Sequence, residues 1–342
     1  MFGMLEGIIV SCTIAFLAVI FVTPKLMKFL IGANIIGIDQ QKKGKPLIPS
    51  SGGLAVAFGL LAGLMLFIAM DVFIFKFDVD FNLLFAASNT ILIILLVGVL
   101  DDLNVKATSR IAATGTREYR VGLKQWMKPL LTLPAAIPLM VINAGVSQMV
   151  IPFIGPVDFG IIYPLILIPI AVVVVSNVNN MLAGLNGLEA GLGFIASLSV
   201  GVYALFHGNI EGAIIVLVLA SSLLAFLKYN WFPAKILPGD SLTYLIGVSF
   251  VTAVIIANVE MFAVVVYMPW IIEALLKLRK RFAASSLGTL QKNGTLKSQY
   301  KKYYSLTHVI MGGKGRFTEK QVTSIILLLE IVFCLLAFVL FF

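Results

Sequence analysis

The run S-N-V-N-N-M-L-A-G-L-N-G-L-E-A-G at residues 176–191 breaks a membrane-grade apolar sequence with amides and glycines. Residues 161–175 before it and 188–206 after it read as membrane helices, so the run marks a junction between two spans. Its Asn side chains supply carbonyl ligands and N–H donors, and its glycines let backbone approach a ligand closely. Two readings are open from this run alone: a helix-breaking turn, or a seat for a polar substrate. The flanking sequence decides the fold, and the other polar stations bear on the second question.

Working outward, 60% of the 342 residues are hydrophobic and the mean hydropathy is +1.04, far from soluble globular composition. An all-α polytopic membrane protein is expected, with about ten transmembrane helices of ~20 residues each and no room for a sizeable soluble domain. The predicted spans are residues 7–30, 53–75, 82–100, 129–144, 160–176, 188–206, 212–227, 241–256, 258–275 and 322–342. They form a single integral membrane domain over residues 1–342, with polar loops near 31–52, 101–128, 177–187, 228–240 and 277–321. The first apolar segment has neither a basic leader nor a small-residue cleavage site, so a retained span is expected. Cys12 and Cys334 fall within spans and read as small buried apolar side chains, since two such cysteines make no disulfide framework.

The formal charge of +9 carries no basic module with interleaved aromatics, which excludes nucleic acid as a partner. The charge is a topology signal instead. Of the 25 Lys and Arg residues, all but Lys76 lie at the ends of odd-numbered spans or in the loops that follow them. Those loops are therefore expected in the cytoplasm, with both termini outside. Attraction for anionic headgroups or phosphates is a second consequence.

Every concentrated polar motif lies on that one face. The third span ends V-G-V-L-D-D, setting Asp101 and Asp102 where an apolar helix meets the cytoplasm. Adjacent carboxylates at a basic boundary fit either a nearby cation or a solvated charge pair. Lys128 precedes Pro129 at a helix start, where cation and helix N-terminus favour phosphate, although a plain topology lysine reads the same way. Asp240 closes P-A-K-I-L-P-G-D and is either a helix N-cap or a third acidic station. The cluster Arg279, Lys280, Arg281 opens the one long extramembrane segment, residues 277–321. Glu330 lies mid-span and receives no role. Carboxylates with amide oxygens are hard ligands suited to Mg²⁺ or Mn²⁺, and Lys and Arg suit the diphosphate such a metal bridges. A water-soluble nucleotide donor meeting a lipid acceptor at the membrane surface is implied.

V-G-V-L-D-D, N-x-x-N-x-L-A-G-L-N-G-L-E-A-G and P-A-K-I-L-P-G-D-S together, in this order, resemble the polyprenyl-phosphate N-acetylhexosamine-1-phosphate transferases. The L-A-G-L-N-G-L-E-A-G wording is similar to the dolichyl-phosphate branch of eukaryotes and archaea. The bacterial peptidoglycan branch carries a T-D-G-L-D-G-L version and a histidine-rich last loop, whereas His308 is the only histidine in that loop here. The resemblance implies a Mg²⁺-dependent enzyme taking UDP-N-acetylglucosamine and dolichyl or polyprenyl phosphate in a membrane: the cell membrane of a prokaryote or the endoplasmic reticulum of a eukaryote. It implies Asn180 and Asp240 as metal ligands, and Asp101, Asp102 and Lys128 in catalysis. Asn186 would contact uracil, Arg279 and Arg281 the donor diphosphate, and Lys45 and Ser50 the nucleotide. Ser50 where relatives carry a carboxylate or Thr, the insert at 107–122 and the triplet R-K-R depart from the family pattern. A homodimer stays open. Two alternatives weigh against this reading. A prenyltransferase wants D-D-x-x-D, but Val105 stands where the third Asp belongs. A secondary transporter would place its polar groups near the midplane of repeated halves, not at one face.

Overall fold

The computed structural model describes residues 2–103, 110–111, 117–118, 126–151 and 154–342. Helix α1 (Phe2–Gly32) leads into a small hairpin, β1 (Ile36–Ile38) paired antiparallel with β2 (Leu47–Pro49). Then come α2 (Gly53–Met70), which continues as one π turn to Phe75, and α3 (Phe81–Leu103). Two-residue strands β3 (Arg110–Ile111) and β4 (Arg117–Glu118) pair within the 107–122 insert, whose other residues lie outside the described ones.

The predicted span at 129–144 is not one helix. It is α4 (Met127–Thr132), a 3-10 turn and α5 (Ile137–Val141), because Pro134 and Pro138 remove backbone donors from any continuous ladder. The hairpin of β5 (Gln148–Ile151) and β6 (Gly155–Asp158) follows, then a π turn into α6 (Ile168–Asn179). Helices α7 (Leu188–Phe206), α8 (Ile210–Asn230) and α9 (Gly239–Ala257) are continuous. Helices α10 (Glu260–Val266) and α11 (Met268–Leu278) meet at a bend of 63°, with Pro269 in the first turn of α11. The extramembrane segment folds as β7 (Gly288–Leu290), β8 (Thr295–Ser298), α12 (Leu306–Met311) and β9 (Phe317–Thr318), the strands forming one antiparallel sheet in the order β7-β8-β9. Helix α13 (Glu319–Phe341) closes the described chain. It starts with a capping box in which Gln321 N–H donates to the Thr318 hydroxyl and Thr318 N–H donates to Gln321 Oε1.

Among the described residues seven helices are long and apolar enough to cross a membrane, or eight when the bent α10–α11 pair is counted as one span. The interrupted helical stretches 127–141 and 163–179 are apolar but shorter than that length. The protein is thus an integral membrane protein, mostly helical, with short strands in the loops that an all-α expectation leaves out.

Helix α9 is the axis of the bundle: 94% of its apolar window is buried, against 22% for α13 and 28% for α1. It packs on α2, α3, α6, α7 and α8, while α13 leans on α7 and α10. The outer faces keep large apolar side chains such as Phe21, Leu96 and Val339 exposed, as a lipid-facing surface requires. Cys12 and Cys334 are free; Cys334 is buried as expected, Cys12 only half-buried, and Cys334 donates weakly to the buried Glu330 at 3.6 Å.

Candidate active site

The acidic stations meet because two glycines let helices touch at the first turn of α9. A Cβ on Gly98, three residues before Asp101, would lie 2.5 Å from Ser241 Cα, and one on Gly53 would strike the Ser241–Leu242 peptide. Backbone contact there brings the end of α3 onto the P-G-D-S turn. Asp102, buried, accepts hydrogen bonds from Asp240 N–H at 2.7 Å, from Ser241 N–H at 3.3 Å and from the Ser51 hydroxyl. It thereby satisfies free N–H groups that a helix start leaves over. Sequence spacing left Asp240 open as the N-cap of α9, but the cap residue is Pro238, and Asp240 sits inside the first turn with its carboxylate turned to Lys128.

Lys128 Nζ bridges the carboxylates, 2.8 Å from Asp101 Oδ2 and 2.7 Å from Asp240 Oδ2. Tyr244, one helical turn along α9 from Asp240, donates its hydroxyl to Asp101 Oδ2 at 3.1 Å. Gly239 makes this packing possible. Its φ is +74°, and a Cβ there would overlap the Asp102 carboxylate. Gly239→Ala is therefore expected to cost about 2 kcal/mol or more, from left-handed strain plus overpacking, and to remove activity. Thermal unfolding and turnover of the variant check this, and a wild-type melting point with full turnover would show that the turn can relax.

Beside this cluster lies a cleft of about 390 Å³. Asp240, Asn180, Asn186, Glu189, Ser50 and Lys277 are among its lining residues. The amide-rich run forms one wall and is held from several sides. Asn179 donates to the Tyr267 hydroxyl at 2.8 Å, and Tyr267 donates to Val175 O at 3.0 Å, which ties the end of α6 to the bend between α10 and α11. Gly184 N–H donates to Glu189 Oε1 at 2.8 Å, while Gly184 O accepts from Gln41 Nε2 at 3.2 Å. Asn186 Oδ1 accepts from Ala234 N–H at 3.0 Å, and Asn186 N–H donates to Glu319 Oε1 at 2.8 Å. Gly187, at φ +77°, donates its N–H to Asn230 Oδ1 at 3.2 Å and starts α7. The run is both the turn and the wall of a cleft, so the two readings left open by its sequence are compatible.

Asp101, Asp102, Lys128 and Asp240 are thus brought together, and Asp240 joins them to the cleft wall carrying Asn180, Asn186 and Ser50. Three of the basic residues assigned by resemblance lie elsewhere. Lys45 is exposed on the β1–β2 connection, and Lys42 instead turns inward to pair with Asp39 and Glu319. Arg279 and Arg281 are exposed past the end of α11, and neither lines the cleft. Lys277 lines it in their place, 3.3 Å from the buried Glu273 and donating to Met181 O. His308 is buried on α12 of the extramembrane segment, with Nε2 3.2 Å from Leu287 O. Burial pushes its pKa below the ordinary 6.5, so it stays neutral at neutral pH.

Glu189 escapes a sequence reading, because a carboxylate in the first turn of a span looks like an ordinary helix start. In the structure it is buried, lines the cleft and leaves Oε2 without a hydrogen-bond partner. Among the described residues no group of three His, Cys, Asp or Glu side chains is set to hold a metal by itself. The hard oxygens of Asp240 and Asn180 do face one cleft, Asp240 with 29% of its side chain exposed, and that donor chemistry suits Mg²⁺.

Fold and site together define an integral membrane protein whose polar cleft adjoins a lysine-bridged carboxylate cluster at one end of its helices. The chain belongs to glycosyl transferase family 4, whose profile matches residues 84–258 and so spans Asp101, Lys128, Asn180 and Asp240. It is 33% identical, over 99% of its length and 97% of the relative's, to a Saccharolobus solfataricus protein named provisionally as a UDP-N-acetylglucosamine–dolichyl-phosphate N-acetylglucosaminephosphotransferase. It is 26% identical to the Dictyostelium discoideum enzyme of that name, over 76% of this chain and 68% of the other. With a Halalkalibacterium halodurans phospho-N-acetylmuramoyl-pentapeptide-transferase it shares 29% identity over 69% of its length and 68% of the relative's. The resemblance read from the three motifs is borne out.

Proposed function

We propose that this protein transfers N-acetylglucosamine-1-phosphate from UDP-N-acetylglucosamine to a dolichyl or polyprenyl phosphate, releasing UMP. The observation that carries the reading is the junction of the Asp101–Lys128–Asp240 bridge with the amide-lined cleft, in a chain matched end to end by a relative named for this reaction. An oxygen of the acceptor phosphate attacks the β-phosphorus of the donor, and the bond from that phosphorus to the UMP oxygen breaks. The acceptor oxygen is already ionised near pH 7, so no general base is needed. Asp101, fully buried and engaged by both Lys128 and Tyr244, acts as an electrostatic organiser of Lys128.

Asp240 and Asn180 would hold Mg²⁺ or Mn²⁺, which when bound supplies positive charge to the diphosphate oxygens. Lys128 adds a second positive charge at the same edge. Asn186 and Glu189 line the part of the cleft proposed for the nucleoside. The unpartnered Glu189 oxygen offers an acceptor to a uracil N–H or a ribose hydroxyl.

The acceptor's chain has a place beside this cleft. An apolar groove of about 440 Å³ runs between α6, α9 and the bent α10–α11 pair, with Val178, Phe250, Tyr267 and Leu278 in its walls. It flanks the helix capped by Asn180. All ten apolar segments are proposed to cross or enter the bilayer, with the cleft in the cytoplasm and both termini outside, as the distribution of Lys and Arg requires.

The test is UMP release by purified protein given UDP-N-acetylglucosamine and polyprenyl phosphate, with and without Mg²⁺. Release that needs both acceptor and metal is expected. Equal release without acceptor, or none with any UDP-sugar, would overturn the reading.

A further inference from the structure

On the extramembrane segment, away from the amide-lined cleft, lies a second cavity of about 700 Å³. Its walls include Tyr303, Val309, Phe317 and Ile325, and its rim carries Lys314 and Arg316. None of its lining residues is shared with the cleft at Asp240. Tyr303 and Val309 are 42% and 48% exposed, an apolar surface that a purely solvated loop has no reason to present. Lys314 and Arg316 are exposed, and neither forms an ion pair or a side-chain hydrogen bond among the described residues.

The cavity sits where α13 emerges. Ile325 is in the second turn of that span, ~9 Å along the axis from its first residue, so apolar wall and cationic rim straddle the height where hydrocarbon gives way to headgroups. The charge around it has one sign. From Lys277 through Thr318 the sequence carries ten Lys and Arg and no Asp or Glu. No carboxylate or amide side chain lines the cavity, so the charge its lining presents is wholly positive.

We infer that this cavity is a binding site for an anionic phospholipid of the surrounding leaflet. The phosphate lies between Lys314 and Arg316, and the first acyl methylenes lie against Val309, Phe317 and Ile325. The inference rests on the membrane character of the chain and on this cavity, and it does not depend on the transferase reaction. A lipid held there anchors the sheet of β7, β8 and β9 to the membrane plane. Through Glu273, which accepts hydrogen bonds from Leu306 N–H of α12 at 2.7 Å and from the Ser286 hydroxyl ahead of β7 at 3.2 Å, the extramembrane segment is tied to α11 beside the cleft.

The experiment measures phosphatidylglycerol bound to the purified full-length protein in mixed micelles, against phosphatidylcholine. Wild-type protein is expected to prefer phosphatidylglycerol, and Lys314→Gln/Arg316→Gln to bind it about tenfold more weakly or less, at an unchanged melting temperature. Lys292→Gln removes an exposed cation of the same segment that does not line the cavity, and is expected to bind as wild type. Equal phosphatidylglycerol binding by wild type and the double variant, or an equal loss in Lys292→Gln, overturns the inference. So does full displacement of the lipid by millimolar inorganic phosphate, which makes the cavity a free-phosphate site, or by UDP, which gives it to the nucleotide.

Discussion

Lys128→Met is expected to destabilise the folded protein by about 3 kcal/mol and to abolish turnover. The lysine stands between two carboxylates, 2.8 Å from Asp101 and 2.7 Å from Asp240, and the three groups are not equally screened. The Asp101 side chain has no exposure, Lys128 has 17% and Asp240 has 29%. Removing the cation takes the ammonium from a carboxylate with no exposure, whereas Asp240 can still reach water through the cleft. One deeply buried partner and one half-open partner argue for the lower end of the 3–5 kcal/mol seen when a buried pair is broken. Methionine matches the length of the lysine stem, so the loss is that of the charge. The unfolding midpoint in detergent, with the metal chelated, reads the effect directly. Lys128→Arg keeps the charge and is expected to recover most of the stability but little of the rate, because a planar fork does not replace a point ammonium between two oxygens. A Lys128→Met protein that unfolds with wild type would show that the bridge contributes nothing to the fold.

The shared face of Asp101, Asp102, Lys128 and Asp240 was legible in the sequence, for a physical reason, although the lysine bridge was not. Carboxylates and a lysine at the ends of apolar spans are strong local signals, and the parity of the basic loops sets Asp101, Asp102, Lys128 and Asp240 on one face. Placing them in contact took one further fact, the pair Gly53 and Gly98, whose missing side chains let α2 and α3 touch the backbone of α9. Which charge turns inward within a loop was not legible. Lys45 and Lys42 lie three residues apart in one basic stretch, and the β1–β2 hairpin sends Lys42 to Asp39 and Glu319 while Lys45 stays outside. The resemblance pointed to Arg279 and Arg281, and Lys277 received no role. However, α11 continues to Leu278, and its periodicity puts Lys277 one turn after the buried Glu273. The bend of 63° between α10 and α11 escaped too, since apolar composition reports that a segment prefers lipid but not whether it runs straight.

Asp240→Asn is expected to lower turnover by ~10²-fold or more while leaving the fold nearly intact. Asn has the shape of Asp. The backbone contacts of this turn are made by the Asp240 and Ser241 N–H groups to Asp102, and they do not involve the side chain that changes. As Pro238 occupies the cap position, the substitution removes no N-cap; it forfeits only a charge near a helix start, worth about 0.3–1 kcal/mol. Lys128 keeps Asp101 as its partner. What disappears is the one carboxylate that both touches the lysine and opens on the cleft beside Asn180, and with it the negative charge proposed to hold the metal against the diphosphate. The signature should therefore be a large fall in kcat, a raised Mg²⁺ requirement and a melting temperature close to wild type. Asn180→Ala is expected to move the Mg²⁺ requirement in the same direction by a smaller amount, because it removes a neutral ligand. Turnover of Asp240→Asn near that of wild type would take Asp240 out of the metal site and leave it as a partner of Lys128 alone.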